Sequence, residues 1–253
     1  MYTHDFYDLL AQQSGSSARA VVPHLIDLLH PSSVVDFGCG VGAWLAEFVN
    51  AGVTDVVGVD GPDVPGDRLQ IPASSFVRHD LTRPFDLGRR FDVVLSLEVA
   101  EHLPADTAAT FVDMLTRHAD VAVFSAAVPG QGGTNHVNEQ WPMYWLQHFS
   151  RAGWRPFDIL RPRLWEDRRV GFWYRQNLLL FASAAGDART GLSRHRGFDP
   201  QQPPSLVHPE QFQVKLDDLK VRPSLRAASR IFGRALSDAA RRRLPRRSSG
   251  GTD

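Results

Sequence analysis

The chain has 253 residues, of which 43% are hydrophobic and 22% are charged, and its formal net charge is zero. These values are typical of one globular α/β domain with some length left over, and they argue against a globally basic nucleic-acid binder. The single cysteine, Cys39, excludes an internal disulfide and a cysteine-rich zinc site. Because the chain shows neither a signal peptide pattern nor a long uncharged apolar run, we expect a cytoplasmic protein without a membrane span.

Strands and helices are predicted to alternate along the first part of the chain. A helical pattern precedes the first strand and ends at Pro31. Apolar runs then predict strands at 33–37, 55–60, 75–80, 91–97 and 121–126, with helices at 44–49 and 105–118. This alternation indicates a parallel sheet that is covered on both faces.

The pattern changes after Gly153. Two longer strands are predicted at 154–160 and 171–184, and their pairing as a hairpin would close the sheet at one edge. The composition of 186–223, which is rich in Gly, Pro, Gln and Arg, predicts an irregular linker. We therefore divide the chain into a domain at 1–185, this linker, and an arginine-rich helical or disordered tail at 224–253.

A glycine-rich turn follows the first strand, where Asp36, Gly38 and Gly40 lie within the run Asp-Phe-Gly-Cys-Gly. Glycines allow the backbone to turn tightly and to approach a ligand closely, while the next helix presents free N–H groups. The glycines alone also fit a dinucleotide-binding fingerprint. Two further acidic residues narrow the choice of cofactor class. Asp60 ends the second strand, where it can bind ribose hydroxyls, and Asp80 ends the third, where it can accept a hydrogen bond from an adenine amino group.

These motifs resemble those of class I S-adenosylmethionine-dependent methyltransferases, over roughly 21–184. The resemblance implies a Rossmann-like α/β fold: a seven-stranded, mostly parallel sheet with a reversed last strand and helices on both faces. It implies S-adenosylmethionine as the methyl donor. The cofactor-binding residues that it implies are Asp36, Gly38, Gly40, Asp60, Gly61, Asp80, Leu81 and Leu97. A nicotinamide or flavin domain and a catalytically inactive cofactor-binding module remain as alternatives.

A second constellation follows the fourth and fifth strands. Glu98, Glu101 and His102 are spaced so that one helical turn would place them on one face, and His136 follows the next strand at the same edge of the sheet. Two carboxylates and two imidazoles could bind Mg²⁺ or Mn²⁺. The pattern is similar to the metal site of the small-RNA 2′-O-methyltransferases, although many metal-free class I methyltransferases carry the same Glu-x-x-Glu-His.

Metal assistance has a chemical reason if the acceptor is a sugar hydroxyl, which is a poor nucleophile near neutral pH. A cation can lower the pKa of a coordinated hydroxyl, and a nearby base can take its proton. His136 is the predicted base if no metal is bound. If His136 is instead a ligand, Glu139 becomes the reserve base.

The stretches 125–145 and 173–177 resemble the subgroup of the mycobacterial methylmannose polysaccharide 1-O-methyltransferases. The resemblance implies a polysaccharide or glycoside acceptor. Amide and guanidinium side chains in these stretches could bind a polyhydroxylated ligand or cap loop backbone: Asn135, Asn138, Gln140, Arg175, Gln176 and Asn177. For three aromatic residues, core packing is favoured over a sugar platform: Trp141, Tyr144 and Trp145.

A small-molecule O-methyltransferase that acts on a quinone or phenol is the alternative enzyme. We expect no nucleic-acid partner. The sequence is compatible with a homodimer.

Overall fold

Seven strands form one sheet in the order β3-β2-β1-β4-β5-β7-β6. The computed structural model describes the backbone of residues 4–195 and 205–220 and the side chains of 14–195 and 205–217. The strands are β1 Ser33–Phe37, β2 Asp55–Asp60, β3 Phe76–Arg78, β4 Val93–Leu97, β5 Val121–Ser125, β6 Arg155–Phe157 and β7 Leu179–Ala182. Strands β1 to β5 are parallel to one another, and β7 is antiparallel to both of its neighbours, β5 and β6. The predicted Rossmann-like fold with a reversed last strand is confirmed.

Helices follow most of the strands. They are α1 His4–Leu29, α2 Ala43–Asn50, α3 Ala108–His118, α4 Pro142–Arg151, α5 Leu160–Leu164, α6 Phe172–Asn177, α7 Ala184–Thr190 and α8 Pro209–Lys220. No helix among the described residues has the length and apolar character to cross a membrane.

The central strands β1, β4, β5 and β7 are buried on both faces, and successive residues of these strands pack into two different cores. Val34 of β1 belongs to one apolar cluster and Val35 to the other, and Val123 and Phe124 of β5 divide in the same way. This follows from the two-residue period of a strand. Residues of α1 and α2 join the first cluster and residues of α3 and α4 join the second, which leaves the carboxyl ends of the strands as the open edge for a ligand.

The prediction of a long strand at 171–184 was wrong in its first half. Residues Phe172–Asn177 form α6, which begins after Gly171, and only Leu179–Ala182 form a strand. The aromatic residues that suggested a strand are used differently, because Tyr174 is buried with its ring edge-on to Trp44 at 5.1 Å.

The other late strand is also shorter than predicted. Strand β6 contains only Arg155–Phe157, and Leu160 already begins α5. Strands β6 and β7 pair antiparallel as expected, but α5 and α6 lie between them in the chain, so the connection is not a tight hairpin.

The irregular linker predicted at 186–223 contains helical structure. Ser183 caps the N-terminus of α7 by accepting a hydrogen bond from the Gly186 N–H, and α8 begins at Pro209. By internal contacts the chain separates into units at 1–211 and 212–253, and the whole sheet lies in the first. The division at 185 and 223 stays a prediction, and the predicted tail at 224–253 lies outside the described residues.

Candidate active site

The turn after β1 has a backbone that only glycine adopts readily. Gly38, Gly40 and Gly42 have φ angles of +90°, +54° and +84°. A Cβ atom on Gly38 would lie 2.2 Å from the side chain of Val99, so close packing also requires glycine there. The predicted glycine-rich loop is therefore built as a tight cradle at the carboxyl end of β1.

Asp60 holds this cradle from the end of β2. Its carboxylate accepts hydrogen bonds from the N–H groups of Gly40 and Gly61, each at 2.6 Å. Burial raises the pKa of Asp60, although these two hydrogen bonds act in the opposite direction. The carboxylate thus fixes the turn, and its contact with a ribose stays a prediction.

Asp36 is buried below the same turn, with 1% of its surface exposed, and its Oδ1 atom has no hydrogen-bond partner. Burial, together with the charge of Asp60, raises the pKa of Asp36 to about 7. A buried carboxylate without partners is costly unless a ligand compensates it. The cradle and this acid therefore fit a cationic nucleoside such as S-adenosylmethionine, which Asp36, Gly38, Gly40 and Asp60 would hold.

The residues predicted to flank the adenine are less distinctive. Asp80 is exposed, and its carboxylate accepts hydrogen bonds from the Thr82 N–H and hydroxyl, which lower its pKa. Leu81 and Leu97 are buried, and Leu97 ends β4. Their contacts with the cofactor stay a prediction.

Three of the four predicted metal ligands converge at the carboxyl edge of β4 and β5. Ligand atoms of Glu101, His102 and His136 all lie within 4.8 Å of one another. The turn that carries the first two is a short 3-10 helix rather than the predicted α-helical turn. The backbone carbonyl of Glu101 accepts the N–H groups of Val137 and Asn138, which brings His136 beside it.

The charges in this cluster suit a cation. Glu101 is completely buried, and neither carboxylate oxygen has a hydrogen-bond partner of ordinary geometry. Burial, followed by the charge of Glu98, raises the pKa of Glu101 well above its usual value. Burial and the neighbouring His136 lower the pKa of His102, which favours the neutral imidazole that binds metals. Glu101, His102 and His136 would hold the ion.

Glu98 lies outside that three-residue cluster. It follows β4 with a φ angle of +56°, and its carboxylate accepts hydrogen bonds from the side-chain amides of Gln131 at 2.7 Å and Asn177 at 3.1 Å. Metal ligation by Glu98 stays a prediction, whereas its amide partners were not anticipated. Gln131 lies in a glycine-rich loop and Asn177 at the end of α6, and no sequence spacing relates either of them to Glu98.

Glu139 orients His136. Its carboxylate accepts hydrogen bonds from Nδ1 of His136 at 3.0 Å and from the N–H groups of Gly130 and Gly132 at 2.7 and 2.6 Å. Partial burial raises the pKa of Glu139, but these hydrogen bonds outweigh it and the net pKa is lowered. With Nδ1 protonated, Nε2 of His136 carries the free lone pair. Glu139 therefore has a positioning contact, and its role as a base stays a prediction.

The predicted sugar-binding side chains divide into two groups. Four of them are buried and bond within the protein, so they do not form an open surface: Asn138, Arg175, Gln176 and Asn177. Asn135 is exposed and Gln140 is half-buried. Among the aromatic residues, Trp145 is in the core as predicted, Tyr144 is partly buried, and the expectation for Trp141 was wrong because 39% of it is exposed.

A family model described as a methyltransferase domain matches residues 11–168, which is more than half of the chain. The chain belongs to this family. It is a methyltransferase that uses S-adenosylmethionine, as the glycine cradle and its two acids predict.

A curated relative is similar to part of this methyltransferase. The ubiquinone biosynthesis O-methyltransferase of Azorhizobium caulinodans is 36% identical over 104 residues, which are 38% of this chain and 38% of the relative. The methyltransferase thus spans less than half of the length of the relative that it matches.

Two solved structures are similar in fold. The sugar N-methyltransferase KedS8 from Streptoalloteichus sp ATCC 53650 is 20% identical with a TM-score of 0.56, covering 72% of this chain and 93% of that one. The magnesium protoporphyrin IX methyltransferase ChlM from Synechocystis PCC 6803, solved with S-adenosylhomocysteine, is 20% identical with a TM-score of 0.51, covering 73% and 89%. At this identity the likeness shows the fold.

Proposed function

We propose that this methyltransferase acts on a hydroxyl group of a carbohydrate, with a divalent cation at Glu101, His102 and His136. The observation that carries the proposal is the convergence of these three ligand atoms within 4.8 Å, at the same carboxyl edge of the sheet as the cofactor cradle. The completely buried carboxylate of Glu101 is the strongest member of the set, because neither oxygen has a partner of ordinary hydrogen-bond geometry and a cation would supply one.

The chain's own residues divide the work at the acceptor hydroxyl. Glu139 holds Nδ1 of His136, so that Nε2, which lies beside Gly133, carries the lone pair. When bound, a cation would lower the pKa of the hydroxyl and neutralise the alkoxide. Without a cation, His136 can accept the hydroxyl proton as the acceptor oxygen attacks the methyl group of S-adenosylmethionine, whose bond to sulfur breaks so that S-adenosylhomocysteine leaves.

A carbohydrate acceptor is supported by the rim of this site. The loop that contains His136 also presents the exposed amide of Asn135 and the partly exposed indole of Trp141. Amides bind hydroxyl groups, and an aromatic face packs against the apolar face of a sugar ring. The similarity of 125–145 to the methylmannose polysaccharide subgroup points to the same acceptor class.

A small phenol or quinol is the second candidate acceptor. The observation that favours it is the identity of 36% over 104 residues with a ubiquinone biosynthesis O-methyltransferase. Both acceptors are hydroxyl compounds, so the cation site alone does not separate them.

The test uses labelled S-adenosylmethionine and two acceptor panels, one of mannosides and oligosaccharides and one of catechols and quinols. We expect labelled glycosides, a loss of at least about tenfold after chelation, and recovery with Mn²⁺. Glu101→Gln should abolish the response to Mn²⁺ while keeping affinity for S-adenosylhomocysteine, and Glu47→Gln on α2 is the control. Labelling of the phenolic panel alone overturns the carbohydrate assignment, and full activity after chelation overturns the metal.

A further inference from the structure

The carboxylate of Glu98 is held by amides from two separate parts of the chain. Gln131 in the loop after β5 donates to Oε2 at 2.7 Å, and Asn177 at the end of α6 donates to Oε1 at 3.1 Å. The two amides also contact each other, because Asn177 Nδ2 lies 2.8 Å from the Gln131 side-chain oxygen. Glu98 lies close enough to Glu101 for its charge to raise the pKa of that carboxyl.

Gln176 forms a second layer behind these amides. It is completely buried, and its Nε2 atom lies within hydrogen-bond distance of the side-chain oxygens of Gln131 at 3.2 Å and Asn177 at 3.0 Å. Its own side-chain oxygen accepts the N–H of His208 at 2.6 Å, and its Nε2 lies 2.6 Å from the side-chain oxygen of Gln211. Gln176 therefore connects the residues around Glu98 with the segment 205–211.

The segment 205–211 is anchored at this place by further contacts. Arg175 is buried and contacts Glu210 at 2.7 Å and the His208 ring at 3.2 Å, and His208 also lies 3.0 Å from the Trp165 carbonyl. His208 and Gln211 are themselves buried. This segment lies beyond residues 11–168, where the family model matches, and within the region whose composition predicted a linker.

We propose that the segment 205–211 is part of the active site: through Gln176 it fixes the carboxylate of Glu98 beside Glu101, so that Gln176 and Gln211 are positioning residues for methyl transfer. Gln211 contacts Gln176, and Gln176 contacts both Asn177 and Gln131. These two amides in turn donate to Glu98. Buried amides with satisfied hydrogen bonds have few alternative arrangements, so the network specifies one position for the carboxylate.

The loop that contains His136 depends on the same network. Gln131 lies in this loop, and its amide bonds both Glu98 and the α6 amides. Removing the Gln211 acceptor should therefore disturb Gln131, which both donates to Glu98 and holds the loop in place. The inference rests on the methyltransferase activity, and the proposed metal enters only one of its two readouts.

The test compares variants of the full chain in crystals and by calorimetry with Mn²⁺. Gln211→Leu removes the acceptor for Gln176 at similar size, Gln211→Glu keeps an acceptor oxygen, and Gln213→Leu alters an exposed residue on the same helix. We expect Gln211→Leu to release the Glu98 side chain from its two amides and to weaken Mn²⁺ binding about tenfold. Gln211→Glu and Gln213→Leu should preserve both properties.

A second variant protects the test if Gln211→Leu does not fold. Gln176→Leu removes the link between Gln211 and the amides around Glu98 but leaves both donors to Glu98 in the chain, so it should displace Glu98 only through the network. An unchanged Glu98 position in Gln211→Leu, or in Gln176→Leu if only that variant folds, overturns the inference. If the wild-type chain binds no Mn²⁺, the proposed metal fails, and the Glu98 position in the crystals alone decides this inference.

Discussion

At the scale of single residues, the site is distinguished by carboxylates that are buried without enough hydrogen bonds. Asp36 has an unpartnered oxygen beside the glycine cradle, and Glu101 has two beside the histidines. Ordinary folding would disfavour both groups, since a buried charge is stable only when it is compensated. At the carboxyl ends of β1 and β4, a ligand with positive charge would compensate these carboxylates, as the proposed function requires.

Asp36 should make the stability of the ligand-free protein depend on pH. Its pKa is about 7 in the folded state, mainly through burial, against 3.8 for the ordinary group. The folded chain therefore binds a proton more tightly than the unfolded chain, and the free energy of unfolding should fall as pH rises from about 4 to 7 and then level off. The fall should be up to about 4 kcal/mol, since one pKa unit corresponds to about 1.4 kcal/mol.

Urea denaturation at several pH values checks this. Asp36→Asn should make the fall smaller than in the wild type and stabilise the chain at pH 8, while weakening its affinity for S-adenosylhomocysteine; the raised pKa values of Asp60 and Glu101 leave a remaining fall. Asp80→Asn is the control, because hydrogen bonds lower the pKa of that exposed carboxyl and it contributes nothing of this sign. A wild-type profile that does not fall between pH 4 and 7 would contradict the burial argument.

Some of these residues could be recognised from the sequence and others could not. Asp36, Asp60, Glu101 and His136 follow predicted strands, and the carboxyl ends of parallel strands meet at one edge. The partners of Glu98 had no such signal, because Asn177 is 79 positions away and amides occur throughout the chain. Their contact depends on the packing of α6 against the sheet, which no local pattern encodes.

At the scale of elements, the loop between β5 and α4 carries His136 and the residues that orient it. Its glycines allow Glu139 to reach back to two N–H groups and to His136 at the same time. Local patterns failed to predict α6. Its aromatic residues have strand propensity, but packing against Trp44 and the hydrogen bond from Arg175 to the Trp165 carbonyl favour a helix.

Gly133→Ala should disrupt this loop specifically. A Cβ atom there would lie 2.3 Å from Nε2 of His136, so the imidazole must move away from Glu101. We expect Mn²⁺ affinity and methyl transfer to fall at least about tenfold.

The matched control is Gly130→Ala in the same loop. Gly130 has a φ angle of +82°, so alanine strains the backbone, but a Cβ atom there meets nothing within 4 Å. Calorimetry with Mn²⁺ on both variants separates strain from displacement of His136. Equal losses in the two variants would mean that backbone strain, and not displacement of His136, causes them.

At the scale of the whole molecule, cofactor binding should stabilise the fold, because the cradle joins the ends of β1 and β2. The melting temperature should rise with the concentration of S-adenosylhomocysteine, as mass action requires. In Asp60→Asn, an at least about tenfold higher ligand concentration should be needed for the same rise of the melting temperature, since the amide lacks the charge and one acceptor of the carboxylate. Asp63→Asn, three residues further along and exposed, should respond like the wild type, whereas an unaltered response of Asp60→Asn would refute the ribose assignment.

The position of β7 in the sheet has a consequence for synthesis on the ribosome. Strand β6 is translated before β7, yet β7 lies between β5 and β6 in the sheet order. The nascent chain must therefore leave a place beside β5 while about twenty further residues emerge, and β6 can join the sheet only once Leu179–Ala182 have left the exit tunnel. The sheet is consequently completed only after the stretch that the family model recognises has already been made.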